Sequence, residues 1–303
     1  MVLNNYKGGQ LANRIVAFAH LIANSIEHNY TLVNPEFDEF EPYFTTTSTN
    51  NFNGYPISIN FNNSFLKTQI IRRGSRIFTD ITHSLFTKTP LYVLYRIFKT
   101  HDKYGLAYNL NNKAFVKDAQ THNVLVQGWG FRDAENFKKH ADKLRLIFTP
   151  VQQYAAEVIK ILATAKTQAE IVYGVHIRRG DYAKHEGGKY FFSDEVYADK
   201  MMQLLAKNKA VGKTCTFIIC SNEPVIRENY PIELLLITGK RHFITDLYLL
   251  AACDGIIGPP STFSSWASFY GKVPIQQIQS KEDVICLGEY IEEVKEIMVN
   301  KGG

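Results

Sequence analysis

Most of the chemistry legible in this sequence sits in six consecutive residues, His176-Ile177-Arg178-Arg179-Gly180-Asp181. They follow directly on an apolar run, IVYGVHI. Two guanidinium forks and an imidazole at that place suit an anionic ligand, because a planar guanidinium holds two phosphate oxygens at once and keeps its charge. Arg178 is assigned to phosphate. The plainer reading pairs Arg179 with Asp181 as a structural ion pair and makes His176 a satisfied core residue. A second group is the hydroxyl-rich turn Ser261-Thr262-Phe263-Ser264-Ser265. Where such a turn enters a helix, the hydroxyls and unpaired N–H groups form an anion site; the alternative is an ordinary helix cap. Asp246 follows Thr245 at another helix start, a place where a carboxylate is favourable merely as a partner of the helix dipole. Asn222 lies in Ser221-Asn222-Glu223-Pro224, after the run TCTFIIC. Asn13 follows Gly8-Gly9 in the first turn of a helix, as a cap or as an amide facing a cleft.

The elements that must position these groups can be read from periodicity. From Ile171 onward, short apolar runs alternate with helical patterns: IVYGVHI, SDEVYADKMMQLLAKN, TCTFIIC, TDLYLLAAC, GIIG, STFSSWASFYG and VPIQ. That alternation reads as βαβ units in a parallel sheet. A sheet of this kind takes ligands outside the carboxyl ends of its strands, so RRGDY, SNEP and GPPST form the expected pocket rim. In the first half, Ile15, Phe18, Ala19, Ile22 and Ile26 recur at helical spacing. Residues 34–64, rich in Asn, Thr and Phe, are expected to be loop excursions outside the core. A boundary is expected near residues 150–168, where TAKTQAE is polar, and GEYIEEVKEIM reads as a last amphipathic helix. Trp129, between two glycines in Gln127-Gly128-Trp129-Gly130, could stack on a sugar ring, but the core reading leads.

Composition bounds the class. The 303 residues are 45% hydrophobic and 21% charged, a globular composition with room for one large or two medium domains. Thirty-four basic against twenty-nine acidic residues give a net +5, too small an excess to demand nucleic acid. Cys215, Cys220, Cys253 and Cys286 lack C-x-x-C spacing and lie in apolar runs, so they are expected to be reduced, packed thiols rather than zinc ligands. No apolar run reaches a membrane span, and MVLNNYKGG does not read as a signal peptide; the expected location is cytoplasmic. Between Leu66 and Tyr104, Lys67, Arg72, Arg73, Arg76, Lys88, Arg96, Lys99 and Lys103 face only Asp80 and Asp102. This basic stretch could rest on an anionic bilayer, as a peripheral contact on the inner face of the plasma membrane, or be a solvated helix face.

YGVHIRRGDY resembles the H-x-R-R-x-D motif of the GDP-fucose-dependent fucosyltransferases. DLYLLAACDGIIGPPSTFSSWASFYG resembles their later block, and GGQLANRIVAFAHLIA resembles the N-terminal G-G-x-G-N-Q block of the bacterial α-1,2 group, of the family 11 type. The three blocks stand in the family's order. Departures are Gln10-Leu11-Ala12 for Leu-Gly, Arg14 for Gln, and Pro259-Pro260 before the serine turn. The resemblance implies an α/β, two-domain, GT-B-like fold with a parallel-sheet nucleotide domain at the C-terminal end. Residues 1–165 would be the acceptor-side domain and 166–303 the GDP-fucose domain, with the last helix packing back on the first. It implies transfer of L-fucose from GDP-β-L-fucose to a galactose-type hydroxyl, possible acceptors including a lipid-linked glycan. Another linkage, another GDP-sugar, or a non-catalytic nucleotide- or glycan-binding module are the alternatives. By the same resemblance Arg178 and Asn13 are the catalytic candidates, and His176, Asp246, Ser261, Thr262, Ser264, Ser265 and Asn222 bind the donor. Asp246 would accept the guanine N–H groups. The sequence has no D-x-D, so Arg178 is expected to stand in for a metal and no cofactor is required. Tyr182, His185 and Glu186, after the motif, would border the acceptor.

Overall fold

Runs of four to seven apolar residues become strands buried on both faces once helices cover them, and this happens twice along the chain. A computed structural model describes residues 1–60, Gly74, 95–100 and 107–294, and divides into two units, Met1–Val151 and Gln152–Gly303. The division falls within the stretch 150–168 where a boundary is expected, ahead of the 165/166 division that the resemblance implies. The reason is that the polar run TAKTQAE closes a long helix that belongs wholly to the second unit.

The first unit comprises β1 (Val2–Asn4), α1 (Leu11–His28), β2 (Leu32–Val33), α2 (Thr45–Ser48), β3 (Ile57–Ser58), β4 (Tyr95–Lys99), β5 (Tyr108–Asn109), α3 (Lys113–Thr121), β6 (Asn123–Gln127), β7 (Phe131–Arg132), α4 (Ala134–Lys139) and α5 (Ala141–Ile147). Its main sheet is parallel, in the order β3-β2-β1-β6-β4. On α1, Ile15, Phe18, Ala19 and Ile22 are fully buried as the spacing requires, and Ile26 is half-buried.

Residues 34–60 correct an expectation. Although irregular, they deliver Phe37, Phe44, Phe52 and Ile59 to the core. Phe37 lies 5.2 Å from Phe18, and Phe44 lies 5.5 Å from Phe148. Short turns close their own backbone hydrogen bonds, and Thr45 N–H donates to Thr149 O at 2.9 Å, so the rings enter the core without stranding peptide groups. Trp129 is buried, with the Arg132 guanidinium over its ring at 4.4 Å, in agreement with the core reading.

The second unit comprises α6 (Gln152–Gln168), β8 (Ile171–Ile177), α7 (Asp194–Ala210), β9 (Cys215–Ser221), β10 (Leu236–Ile237), α8 (Phe243–Leu250), β11 (Gly255–Gly258), α9 (Thr262–Gly271) and β12 (Ile275–Gln277). All its pairings are parallel, in the order β10-β9-β8-β11-β12. Successive strands therefore step one way from β8 and the other way from β11. The β8/β11 boundary is a topological switch point, the place where the loops leaving neighbouring strands part and open a crevice. Gly258 lets the two strands close there: a Cβ on it would stand 2.7 Å from the His176 carbonyl oxygen.

Two further expectations change. Residues 288–294 form no helix, and the remainder of GEYIEEVKEIM lies outside the described residues. Cys215, Cys220 and Cys253 are buried, but Cys286 is exposed, in a segment without regular secondary structure. Of the basic stretch, Lys67, Arg72, Arg73, Arg76, Lys88 and Lys103 lie outside the described residues, as does most of the proposed membrane surface. Arg96, on β4, faces Asp118 at 3.7 Å. Among the described residues no helix is long and apolar enough to cross a membrane.

Candidate functional site

The motif occupies the carboxyl end of β8. His176 is the last but one residue of the strand, and burial leaves it 5% exposed. Its ring lies 5.2 Å from that of Phe263 on α9, and its Nδ1 has no hydrogen-bond partner. Burial, aided by the charge of Arg178, pushes the imidazole pKa down to about 3. At neutral pH it is therefore an uncharged ring, a donor and acceptor rather than a cation.

Beyond Ile177 the two arginines separate. Arg178 keeps most of its side chain buried, donates from Nη2 to Asp181 at 3.0 Å, and lies 5.3 Å from the centre of the Tyr182 ring. Arg179 turns the other way. It is ion-paired to Asp194 at the start of α7, donates to the carbonyl of Phe192, and lies over the rings of Phe191 and Tyr197. Asp194 is held in turn by Asn229 at 2.6 Å and the Tyr230 hydroxyl at 2.8 Å. The expected Arg179–Asp181 pair is thus replaced by Arg178–Asp181 and Arg179–Asp194. The physical cause is Gly180, whose φ of +61° reverses the chain and brings the Asp181 carboxylate back to Arg178. Arg179 is an anchor of the fold.

Asn222, on the loop after β9, accepts the Arg179 N–H at 2.8 Å. Its observed work is to fasten the two strand ends that frame the motif.

The hydroxyl turn enters α9 from β11, on the other side of the switch point. Ser261 is the N-cap, its Oγ accepting the Phe263 N–H at 3.2 Å. Ser264 and Ser265 are buried. Ser264 Oγ donates to the Ser261 carbonyl at 3.3 Å, and Ser265 Oγ accepts from Gln277 Nε2 at 2.9 Å. Both hydroxyls are thus engaged inside the fold, Ser264 as a donor and Ser265 as an acceptor. What the turn presents is the positive end of a helix, with Thr262 half-buried at its first position.

Asp246 is in the first turn of α8, near the carboxyl end of β9, and is not a simple dipole partner. Arg241 Nε donates to its Oδ1 at 2.7 Å, and Arg241 also donates to the Ile219 carbonyl on β9. Burial pushes the Asp246 carboxyl above its usual range, while the Arg241 guanidinium pulls it the other way. The neighbouring Thr245 hydroxyl donates to Glu157 on α6 at 2.5 Å. Arg241 escaped the sequence reading. The available signal was its position five residues before Asp246 at a helix entry, on the side where its side chain can fold back.

His176 and Arg178 at the end of β8 and Ser261 and Thr262 past β11 therefore stand at adjacent strand ends, with Asn222 just past β9 and Asp246 against that strand's Cys220. Asn13 belongs to the first unit, half-buried in the first turn of α1, where Gly9 leaves it room: a Cβ on Gly9 would stand 2.4 Å from Asn13 Nδ2. Tyr182, expected at the acceptor border, is instead buried, and its hydroxyl donates to the Pro260 carbonyl at 2.7 Å.

Comparison with solved structures finds the same fold in fucosyltransferases. An Arabidopsis thaliana FUT1 variant in complex with GDP superposes with a TM-score of 0.56 at 14% identity, over 90% of this chain and 69% of that one. NodZ, an α-1,6-fucosyltransferase soaked with GDP-fucose, gives 0.55 at 15% identity over 95% and 99% of the two chains. POFUT1 in complex with GDP-fucose gives 0.50 at 12% identity over 90% and 94%. The fold is that of the GT-B-like fucosyltransferases. No curated protein matches the sequence. Residues 120–278, more than half of the chain and including the β8 motif, the Asp246 helix and the Ser261 turn, match the family profile of glycosyl transferase family 11, and the chain belongs to that family.

Proposed function

We propose that the protein transfers L-fucose from GDP-β-L-fucose to a galactose-type hydroxyl of a glycan, with inversion, forming an α-1,2 linkage. The observation that carries this reading is the placement of Arg178 and the Ser261 helix start on adjacent parallel strands at the switch point of the second sheet. FUT1 in complex with GDP, POFUT1 in complex with GDP-fucose and NodZ soaked with GDP-fucose support the donor class.

The difficult event in such a transfer is departure of the nucleotide. As the bond from the sugar carbon to the phosphate oxygen breaks, negative charge grows on the β-phosphate and needs donors already in place. Arg178 supplies a charged fork, held toward one side by Asp181, and the start of α9 supplies oriented amides and the dipole. His176, uncharged and buried beside them, contacts the nucleoside. Asp246 takes the guanine N–H donors, with Arg241 fixing its orientation. Asn13, in the first turn of α1, is assigned a part in orienting donor or acceptor.

No metal enters this scheme. A divalent ion on a diphosphate needs one or two carboxylates beside it, and of the three on the expected rim, Asp181, Asp246 and Glu223, the first two are each bonded to an arginine. Transfer is accordingly expected to persist in excess EDTA, with at most a modest stimulation by Mg²⁺ acting on released GDP. Loss of turnover on chelation, restored by Mg²⁺ or Mn²⁺, would overturn the assignment of the charge-stabilising role to Arg178 and point to Glu223 or the Asp38-Glu39 turn. The donor assignment is tested separately by calorimetry of the wild-type protein with GDP, ADP and UDP, where GDP is expected to bind tightest.

A further inference from the structure

Tyr182 is tied to both sides of the β8/β11 switch point. It stands in the turn Gly180–Ala183 and is 8% exposed. Its ring lies 5.3 Å from the guanidinium carbon of Arg178, which leaves β8. Its hydroxyl donates at 2.7 Å to the carbonyl of Pro260, the residue that precedes the Ser261 cap of α9 and leaves β11. Burial pushes the phenol pKa up, and a hydrogen bond with Ser261 opposes the shift, so the hydroxyl is a neutral donor lodged against the cap. The His185 ring stacks on the phenol at 5.1 Å and holds it in place.

A buried aromatic that only filled space could be phenylalanine. Here the hydroxyl ends on a backbone carbonyl of one loop while the ring supports a charged side chain from another. Arginine is a long side chain with much rotamer freedom, and a face for it to lie on restricts where its fork can point.

We infer that Tyr182 is a positioning residue that sets the Arg178 guanidinium and the Ser261 helix start at a fixed separation, so that both act on the same diphosphate. This rests on the donor reading given above. It assigns to the residue after the H-x-R-R-x-D run a role in geometry, with no contact to substrate.

The test is Tyr182→Phe, which keeps the ring and removes the hydroxyl with its hydrogen bonds to the Pro260 carbonyl and Ser261, made both in the wild-type protein and in Arg178→Lys. Donor turnover and GDP affinity are measured for all four proteins. For Tyr182→Phe alone, kcat is expected to fall about tenfold or more with the donor KM changed far less, since a displaced donor chiefly affects the transition state. In the Arg178→Lys background the same substitution should cost less than about threefold, because two residues acting through one contact do not add. Unchanged kcat, or an equal loss in both backgrounds, overturns the inference. Failure of the wild-type protein to bind GDP overturns the donor reading and the inference with it, whereas normal wild-type binding beside an unaffected Tyr182→Phe overturns the inference alone. Tyr182→Leu, which also removes the ring beneath Arg178, should fall below Tyr182→Phe in kcat; equality of the two would contradict the part given to the ring.

Discussion

Arg178→Ala is expected to lower kcat by at least about a hundredfold at saturating donor, the loss that follows from removing one preorganised stabiliser of developing charge, about 2.7–4 kcal/mol. The fold should survive it. The ion-pair partner of Arg178, Asp181, has a side chain 58% exposed, and such pairs are worth about 0–1 kcal/mol. Thermal unfolding and kcat should therefore separate. Arg178→Lys should restore activity only in part, since a point charge cannot hold two oxygens in one plane. Steady-state kinetics beside a melting curve decides the matter, and near-normal kcat in a folded Arg178→Ala protein would remove the arginine from the mechanism.

Asp246→Asn is expected to weaken GDP binding by about 1–3 kcal/mol and to narrow the preference for GDP over ADP, because an amide offers one acceptor where the carboxylate offers two. This substitution also touches the fold. Arg241 is buried against Asp246, and breaking a buried pair can cost about 3–5 kcal/mol, although Asn retains an acceptor for Nε. The informative quantity is thus the ratio of the two affinities, measured by calorimetry, because a partly unfolded sample lowers both alike. An unchanged ratio would return Asp246 to a purely structural partner of Arg241.

The second unit was legible in the sequence for a physical reason. Strands buried on both faces of a parallel sheet read as unbroken apolar runs, so IVYGVHI, TCTFIIC and GIIG announced β8, β9 and β11, and the residues just past them announced the crevice. Where side chains go after a strand ends was not legible. Arg179 and Asp181 stand close in sequence, yet the left-handed turn at Gly180 gives Asp181 to Arg178 and leaves Arg179 to a carboxylate fifteen residues on. The hydroxyls of Ser264 and Ser265 belong to a turn suited to anions, but position within the helix turns them toward Ser261 and Gln277. The phenylalanines of residues 34–60 carry no period, so their shared core around Phe18 and Phe148 arises from tertiary packing alone.

The most direct test of the central claim is incubation of the protein with GDP-β-L-fucose and a panel of β-galactosides, quantifying GDP and determining the anomeric configuration and linkage of the product by NMR. The expected result is GDP released in step with a fucosylated galactoside whose new bond is α and joined at the 2-hydroxyl. Retention of the β configuration, attachment to another hydroxyl, or GDP release no faster with any galactoside than with water would contradict it.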